Sequence, residues 1–195
     1  MKKKILLLMV CLLFMVPCFG FDFGRVEKVI DLDEQQNEVA SKILYDFILH
    51  IRKWTPEVAE KDFGYISDLT VATYYDLNND GEDEIIGISG DVASICSQGE
   101  KLYILQNKNG IYKSIITDEY ICPHRVSILS TKTNGYCDIK ISMRVRNTLF
   151  NRSGVKKTKL KFNGKIYYNT LICRYMGKKK CEKYIEYSYN DNERS

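Results

Sequence analysis

Residues 70–190 form a succession of short strand-like segments, and this succession constrains the fold more than any other feature of the chain. β-Branched and aromatic residues fill these segments, and turns rich in Asn, Asp and Gly separate them. The strongest turn signal is Asn163-Gly164, a dipeptide typical of a tight hairpin. Because short connections join consecutive strands, most neighbours should run antiparallel. The predicted strands are residues 70–75, 84–89, 101–106, 112–118, 125–131, 136–146, 155–162, 166–175 and 179–189.

A long helix is predicted ahead of these strands, over residues 34–54. Apolar residues recur there at steps of three and four, which gives one broad apolar stripe. Asp33 can cap its start, with Gln36 at capping-box spacing, and Pro56 forces its end. A stripe of this width suits a helix that lies on a sheet. We therefore predict an α+β fold, with an N-terminal helix packed on a twisted, mainly antiparallel sheet or a partly open barrel.

The first twenty residues are typical of an export signal. Three lysines precede an apolar run from residue 5 to residue 16, and small residues follow near Gly20. This run is shorter than the roughly 18 residues that span a bilayer, and no later stretch is long and apolar enough to cross a membrane. We expect cleavage after Gly20 and an exported protein, periplasmic or secreted; lipidation of Cys18 is the alternative.

The remaining chain should form one domain. Residues 21–69 make an N-terminal segment whose first part, up to residue 33, is expected to be irregular. Residues 70–190 make a β-rich body, and residues 191–195 a disordered tail. A mature length of about 175 residues is enough to bury a sizeable core.

A turn between the first two predicted strands carries oxygen-bearing side chains at alternate positions. Gly81 allows the sharp bend that such a loop needs, so the spacing matches a calcium loop. The ion-free alternative is a hairpin in which Asp and Asn side chains bind their own backbone. No other metal or cofactor is expected. The candidate calcium ligands are Asp76, Asn78, Asp80, Glu82 and Glu84.

This loop resembles the strand-loop-strand calcium motif of integrin-like FG-GAP and VCBS repeats. The resemblance covers about twenty residues and occurs once, so it implies an ion loop and not a propeller. Residues 131–139 (TKTNGYCDI) and 161–167 (KFNGKIY) are also similar to segments of small exported bacterial proteins of unknown function, which likewise carry an Asp-rich hairpin. That similarity implies a single domain and no particular activity.

Five cysteines remain after cleavage, in a compartment that permits disulfides. Cys173 and Cys181 are equidistant from Gly177, so a hairpin that turns there would place them directly opposite each other. Cys137 alternates in phase with apolar residues and is expected to be buried and free. The remaining pair, Cys96 with Cys122, would then form a second disulfide. With no Cys-x-x-Cys spacing and only two histidines, the sequence does not favour zinc.

Charge is unevenly distributed along the chain. Residues 22–100 carry a net charge of −12, and residues 140–183 one of +13. Such asymmetry is typical of a surface that binds anions; the alternative is that the acidic and basic segments face each other or are dispersed over one solvated surface. An acidic exported protein or an anionic envelope polymer is the expected partner; nucleic acid is not, because export and the missing motifs argue against it. The proposed binding surface is Lys178, Lys179, Lys180 and Lys183.

Catalytic motifs are weak in this sequence. His124 follows Cys122 closely, but this pair would require a reduced cysteine in an oxidising compartment. Glu82, Asp83 and Glu84 are adjacent in one turn and so cannot flank a cleft as the two carboxylates of a glycosidase do. We therefore expect a non-enzymatic binding or inhibitor/immunity-type module. The alternatives are a structural envelope protein that uses a basic face, and an exported hydrolase.

Overall fold

A computed structural model of the protein describes residues 24–63, 67–90, 100–117, 119–121, 124–147, 152–176 and 181–185. These residues form eleven strands and two helices. In chain order the elements are β1 (Val26–Asp31), α1 (Glu38–Arg52), α2 (Pro56–Phe63), β2 (Thr70–Tyr75), β3 (Glu84–Ser89), β4 (Glu100–Lys108), β5 (Ile111–Ser114), β6 (Glu119–Ile121), β7 (Arg125–Thr133), β8 (Tyr136–Asn147), β9 (Arg152–Phe162), β10 (Tyr167–Met176) and β11 (Cys181–Ile185). No helix among these residues is long and apolar enough to cross a membrane.

The strands form two antiparallel sheets. Sheet A has six strands in the order β1-β7-β8-β9-β10-β11, and sheet B has the order β2-β3-β4-β5, with β6 also paired to β4. Most neighbours are consecutive strands, as short turns require. The exception is β1, which pairs with β7, so sheet B lies in the sequence between two neighbouring strands of sheet A.

The main hydrophobic core draws on both sheets. From sheet A it takes Ile30 and Ile139, and from sheet B Ile86 and Ile104, all buried in one cluster. Tyr167 on β10 is fully buried there, and its hydroxyl group donates a hydrogen bond to the Cys137 carbonyl at 2.8 Å. Buried phenols need such a partner, because an unsatisfied hydroxyl group is costly. The two sheets therefore enclose one shared core.

Helix α1 contacts the other face of sheet B. Ala40, Leu44 and Ile48 form a second cluster with residues of β2, β3 and β4. The Asn37 side chain caps the helix by accepting a hydrogen bond from the Ala40 N–H at 3.0 Å. Gly87 allows the close approach, since a Cβ there would lie 2.6 Å from Leu44 Cδ2.

The predicted α+β class is wrong. The described chain is mostly β, with two short helices and with two sheets in place of one sheet or a partly open barrel. The prediction that residues 21–33 are irregular is also wrong, because Val26–Asp31 is a strand of sheet A. As a result the predicted cap at Asp33 lies in the turn after β1, and α1 begins four residues later than expected. Strands β2 and β3 have the predicted bounds.

Candidate functional site

The turn between β2 and β3 is built around the carboxylate of Asp76. Asp76 Oδ1 accepts hydrogen bonds from the backbone N–H groups of Asn78 (3.2 Å), Asn79 (2.5 Å) and Asp80 (3.3 Å), and Oδ2 accepts one from Gly81 (2.9 Å). Burial acts to raise the pKa of Asp76, but these N–H groups outweigh it and hold the pKa below its usual value. The loop is therefore folded around an anionic side chain of its own.

The other side chains of the turn also bind within it. Asn78 Oδ1 accepts from the Asp80 N–H at 2.8 Å, and Asn78 Nδ2 donates to Asp80 Oδ2 at 2.7 Å. Asp80 Oδ1 accepts from the Glu82 N–H at 2.8 Å. These are Asx-type bonds that stabilise a turn without an ion.

Glu84 points away from the turn into the protein. Only 2% of it is exposed; Oε2 accepts from the Leu77 N–H at 2.9 Å and Oε1 from the Tyr136 hydroxyl group at 3.4 Å. Burial raises the pKa of Glu84 to about 7, with further contributions from Asp80 and Asp76. This side chain therefore joins the end of sheet B to β8 of sheet A.

These contacts engage most of the predicted ligands within the protein itself. The Asp76 oxygens are occupied by N–H donors, the Asn78 amide nitrogen faces Asp80, and Glu84 is directed inward. Across the described ranges, no group of three or more His, Cys, Asp or Glu side chains has an arrangement suited to a metal. The arrangement supports the ion-free hairpin, and calcium binding stays a prediction.

His124 lies in a cluster that the sequence did not predict. Its Nδ1 is 2.7 Å from Asp33 Oδ1, and its Nε2 is 2.8 Å from Glu100 Oε2. Hydrogen bonding to Glu100, and then to Asp33, raises the pKa of His124 to about 9, against the opposing effect of burial. With both nitrogens protonated, this imidazolium is an ion-pairing group and not the general base that a hydrolase would need.

Four lysines share one face of sheet A, opposite to the face that packs in the core. Cross-strand pairs place Lys140 beside Lys159, and Ser142 beside Lys157, while Ile139 and Leu160 point inward. We call Lys140, Lys157, Lys159 and Lys161 the lysine face.

One member of the lysine face is neutralised. Lys159 Nζ lies 3.3 Å from Asp138 Oδ2, and this carboxylate also accepts hydrogen bonds from the hydroxyl groups of Thr131 (2.7 Å) and Thr133 (2.6 Å). Lys140 has no carboxylate partner in the described chain. Burial lowers its pKa, and the like charge of Lys157 lowers it further. This local repulsion is what a bound anion would relieve.

Several predicted sites lie outside the described residues. These are the signal peptide, Cys96, Cys122, and Lys178, Lys179 and Lys180; the side chains of Cys181 and Lys183 are not described either. Sequence reasoning thus placed the basic surface on a segment that the structure does not describe, and missed Lys140 and Lys157. Alternation along β8 and β9 was the signal that could have found them.

The cysteine predictions have mixed outcomes. Cys137 is buried and free, as predicted. Cys173 is buried and disulfide-bonded, but it lies opposite Tyr184, while Cys181 lies opposite Tyr175, so the two cysteines are not the directly opposed pair that we expected. The bond between Cys173 and Cys181 stays a prediction. No protein family, no curated protein and no solved structure matched the chain.

Proposed function

We propose that the mature protein is an exported binding module without enzymatic activity, of the inhibitor or immunity type. In this proposal an acidic exported protein binds to the lysine face of sheet A. The observation that carries it is the placement of Lys140 and Lys157 on one face of neighbouring strands, with Lys140 unpaired in the described chain. The predicted N-terminal export signal supports this proposal, because it would direct the protein to a compartment where such partners occur.

The charge arrangement supports an anionic partner. Lysines brought together on a sheet repel one another, and a carboxylate-bearing surface removes that repulsion while it gains charge-assisted hydrogen bonds. Lys159 already has Asp138 as its partner, whereas Lys140 has no carboxylate partner in the described chain, so the charge of Lys140 is the part to assign to a ligand. The lysines of the predicted binding surface, at positions 178, 179, 180 and 183, add to the positive charge of this part of the sequence.

A structural envelope protein is the second candidate. The same lysines would then rest on an anionic polymer or an anionic membrane surface, where each contributes about 1 kcal/mol. The two candidates differ in what the lysine face should recognise, since a specific protein partner has a defined shape and a membrane surface does not.

The test compares two double variants of equal net charge. Lys140→Gln/Lys157→Gln removes charge from the lysine face, and Lys61→Gln/Lys113→Gln removes it from exposed positions on α2 and β5. Both are used as bait for proteins of the envelope and culture fractions, and both are tested on vesicles of phosphatidylglycerol. Binding to a protein partner should weaken by about 1 to 2 kcal/mol, or roughly 5- to 30-fold, in the first variant only.

Each outcome assigns one candidate. A purified partner that binds the wild type and the control but not the Lys140→Gln/Lys157→Gln variant supports the inhibitor-type module. Release of that variant from phosphatidylglycerol vesicles, with no protein partner recovered, favours the structural envelope protein. Equal weakening of both variants in both assays would exclude the lysine face as a site.

A further inference from the structure

A groove lies at the end of sheet B, beside the Asp76 turn. Its volume is about 730 Å³, which is in the range of small-ligand sites. The β2–β3 turn contributes Glu82 and Asp83, and the end of β4 contributes Asn107 and Lys108. The groove is separate from the lysine face, which belongs to sheet A.

Two tyrosines give this groove aromatic walls. Tyr74 on β2 and Tyr112 on β5 line it and also pack against the cluster that contains Ile85 and Leu105. Burial raises the pKa of Tyr74, and the neighbouring Tyr112 and Asp83 add to the shift, which is the effect expected of a phenol close to both groups. Both rings are therefore partly held by packing against this cluster.

The carboxylates of the groove lack basic partners. Glu82 and Asp83 are exposed, and neither forms an ion pair within the described chain. Asp76 and Asp80 in the same turn add negative charge, whereas Lys108 is the basic residue among those that line the groove. Carboxylates beside aromatic rings suit an organic cation, because both the charges and the ring faces attract it.

We propose that this groove binds an organic cation, namely an ammonium or guanidinium group on an alkyl stem. The cation lies against the rings of Tyr74 and Tyr112 and is neutralised by Glu82 and Asp83. Lys108 opposes this binding by repulsion. The proposal is independent of the function assigned to the lysine face.

The test titrates ¹⁵N-labelled protein with 1,5-diaminopentane and follows the amide signals of Asn107 and Gly110. The uncharged control ligand is 1,5-pentanediol, which has the same carbon chain as the diamine. A blocked peptide, acetyl-Gly-Lys-Gly-amide, presents the same ammonium group as a protein side chain. Tighter binding of the peptide assigns the cation to a lysine of a partner protein, and tighter binding of the diamine assigns it to a free polyamine.

Variants identify the contributions of single residues. Asp83→Asn should weaken diamine binding about fivefold, and Tyr112→Leu should weaken it while keeping the apolar packing. Lys108→Gln should strengthen it about twofold, because a competing charge is removed. Lys140→Gln/Lys157→Gln should leave it unchanged. Equal binding of the diol and the diamine, an Asp83→Asn variant with wild-type affinity, or no shift at Asn107 and Gly110 would overturn the proposal.

Discussion

The hydroxyl group of Tyr136 on β8 donates a hydrogen bond to the carboxylate of Glu84 on β3, at 3.4 Å. Tyr136 in turn accepts a hydrogen bond from the Gln106 side chain on β4, so a buried acid connects two strands of sheet B to sheet A. The Cys137 N–H donates to the Leu77 carbonyl next to it, at 2.8 Å. The end of the Asp76 turn is thus fixed to β8 by both backbone and side chains.

This buried acid should make stability depend on pH. Burial raises the pKa of Glu84 to about 7, above its ordinary value of 4.5, so the folded protein holds a proton that the unfolded chain releases. Stability should fall as pH rises from about 4.5 to 7, by roughly 2 to 3 kcal/mol. Urea unfolding at a series of pH values measures this slope. In Glu84→Gln it should be absent, and a variant that keeps the wild-type slope would contradict the assignment.

His124 should produce a second slope at higher pH. Its folded pKa of about 9 exceeds the ordinary 6.5, so its ion pairs contribute fully below pH 6.5 and are lost as pH rises toward 9. Because Asp33 is well exposed, we expect a loss of about 1 to 2 kcal/mol. His124→Gln should remove the slope above pH 6.5 and leave the one at lower pH intact. A His124→Gln variant that kept the slope above pH 6.5 would contradict the assignment of that slope to His124.

Gly87 should tolerate no side chain. A Cβ at this position would lie 2.6 Å from the Ala72 Cβ and 2.7 Å from the Val71 carbonyl oxygen, and neither atom can move away easily. Gly87→Ala should therefore destabilise the protein by about 1 to 3 kcal/mol in urea unfolding. Adding Ala72→Gly removes one of the clashes and should recover part of the loss. Wild-type stability in the single variant would contradict this prediction and show that β2 can move away from β3 at this point.

The Asp76 turn should keep its conformation without calcium. Since its oxygens are already engaged by the turn's own N–H groups, we expect calcium at about 1 mM to give no saturable heat in calorimetry. Asp80→Ala and, as a control away from the turn, Asp68→Ala are measured beside the wild type. A binding heat that Asp80→Ala abolishes and Asp68→Ala keeps would establish a calcium site.

Local features of this fold could be predicted from sequence, and its long-range pairings could not. Strands β2 and β3 follow from the two apolar runs on either side of a turn whose Asn and Asp side chains bind their own backbone. The partition into two sheets depends on β1, whose partner β7 lies about a hundred residues later, so no local pattern indicates it. Because β1 was not predicted, the helix cap was predicted at Asp33, which belongs to the turn that ends this strand. The observed cap is Asn37.

The candidate sites follow the same division. The Asp76 turn is visible in the sequence because its side chains are neighbours in the chain. His124 meets Asp33 across a separation of 91 residues, and the groove combines the ends of two hairpins. Residue types alone cannot indicate contacts between residues that are so far apart in the sequence. The inward direction of Glu84 was likewise unforeseen, because its partner Tyr136 is contributed by the other sheet.

The pairing of β1 with β7 sets an order for folding. The edge strand β1 cannot join sheet A until the chain between it and β7, which includes all of sheet B, has been bridged, because β1 pairs with β7. Closing so long a loop costs entropy before any contact repays it, and non-local sheets fold slowly for this reason. A chain that crosses a membrane from its N-terminus would emerge with β1 unpaired. If the protein is exported as the sequence predicts, β1 would then stay unpaired until β7 had followed, and sheet A would be completed only when β11 had followed as well.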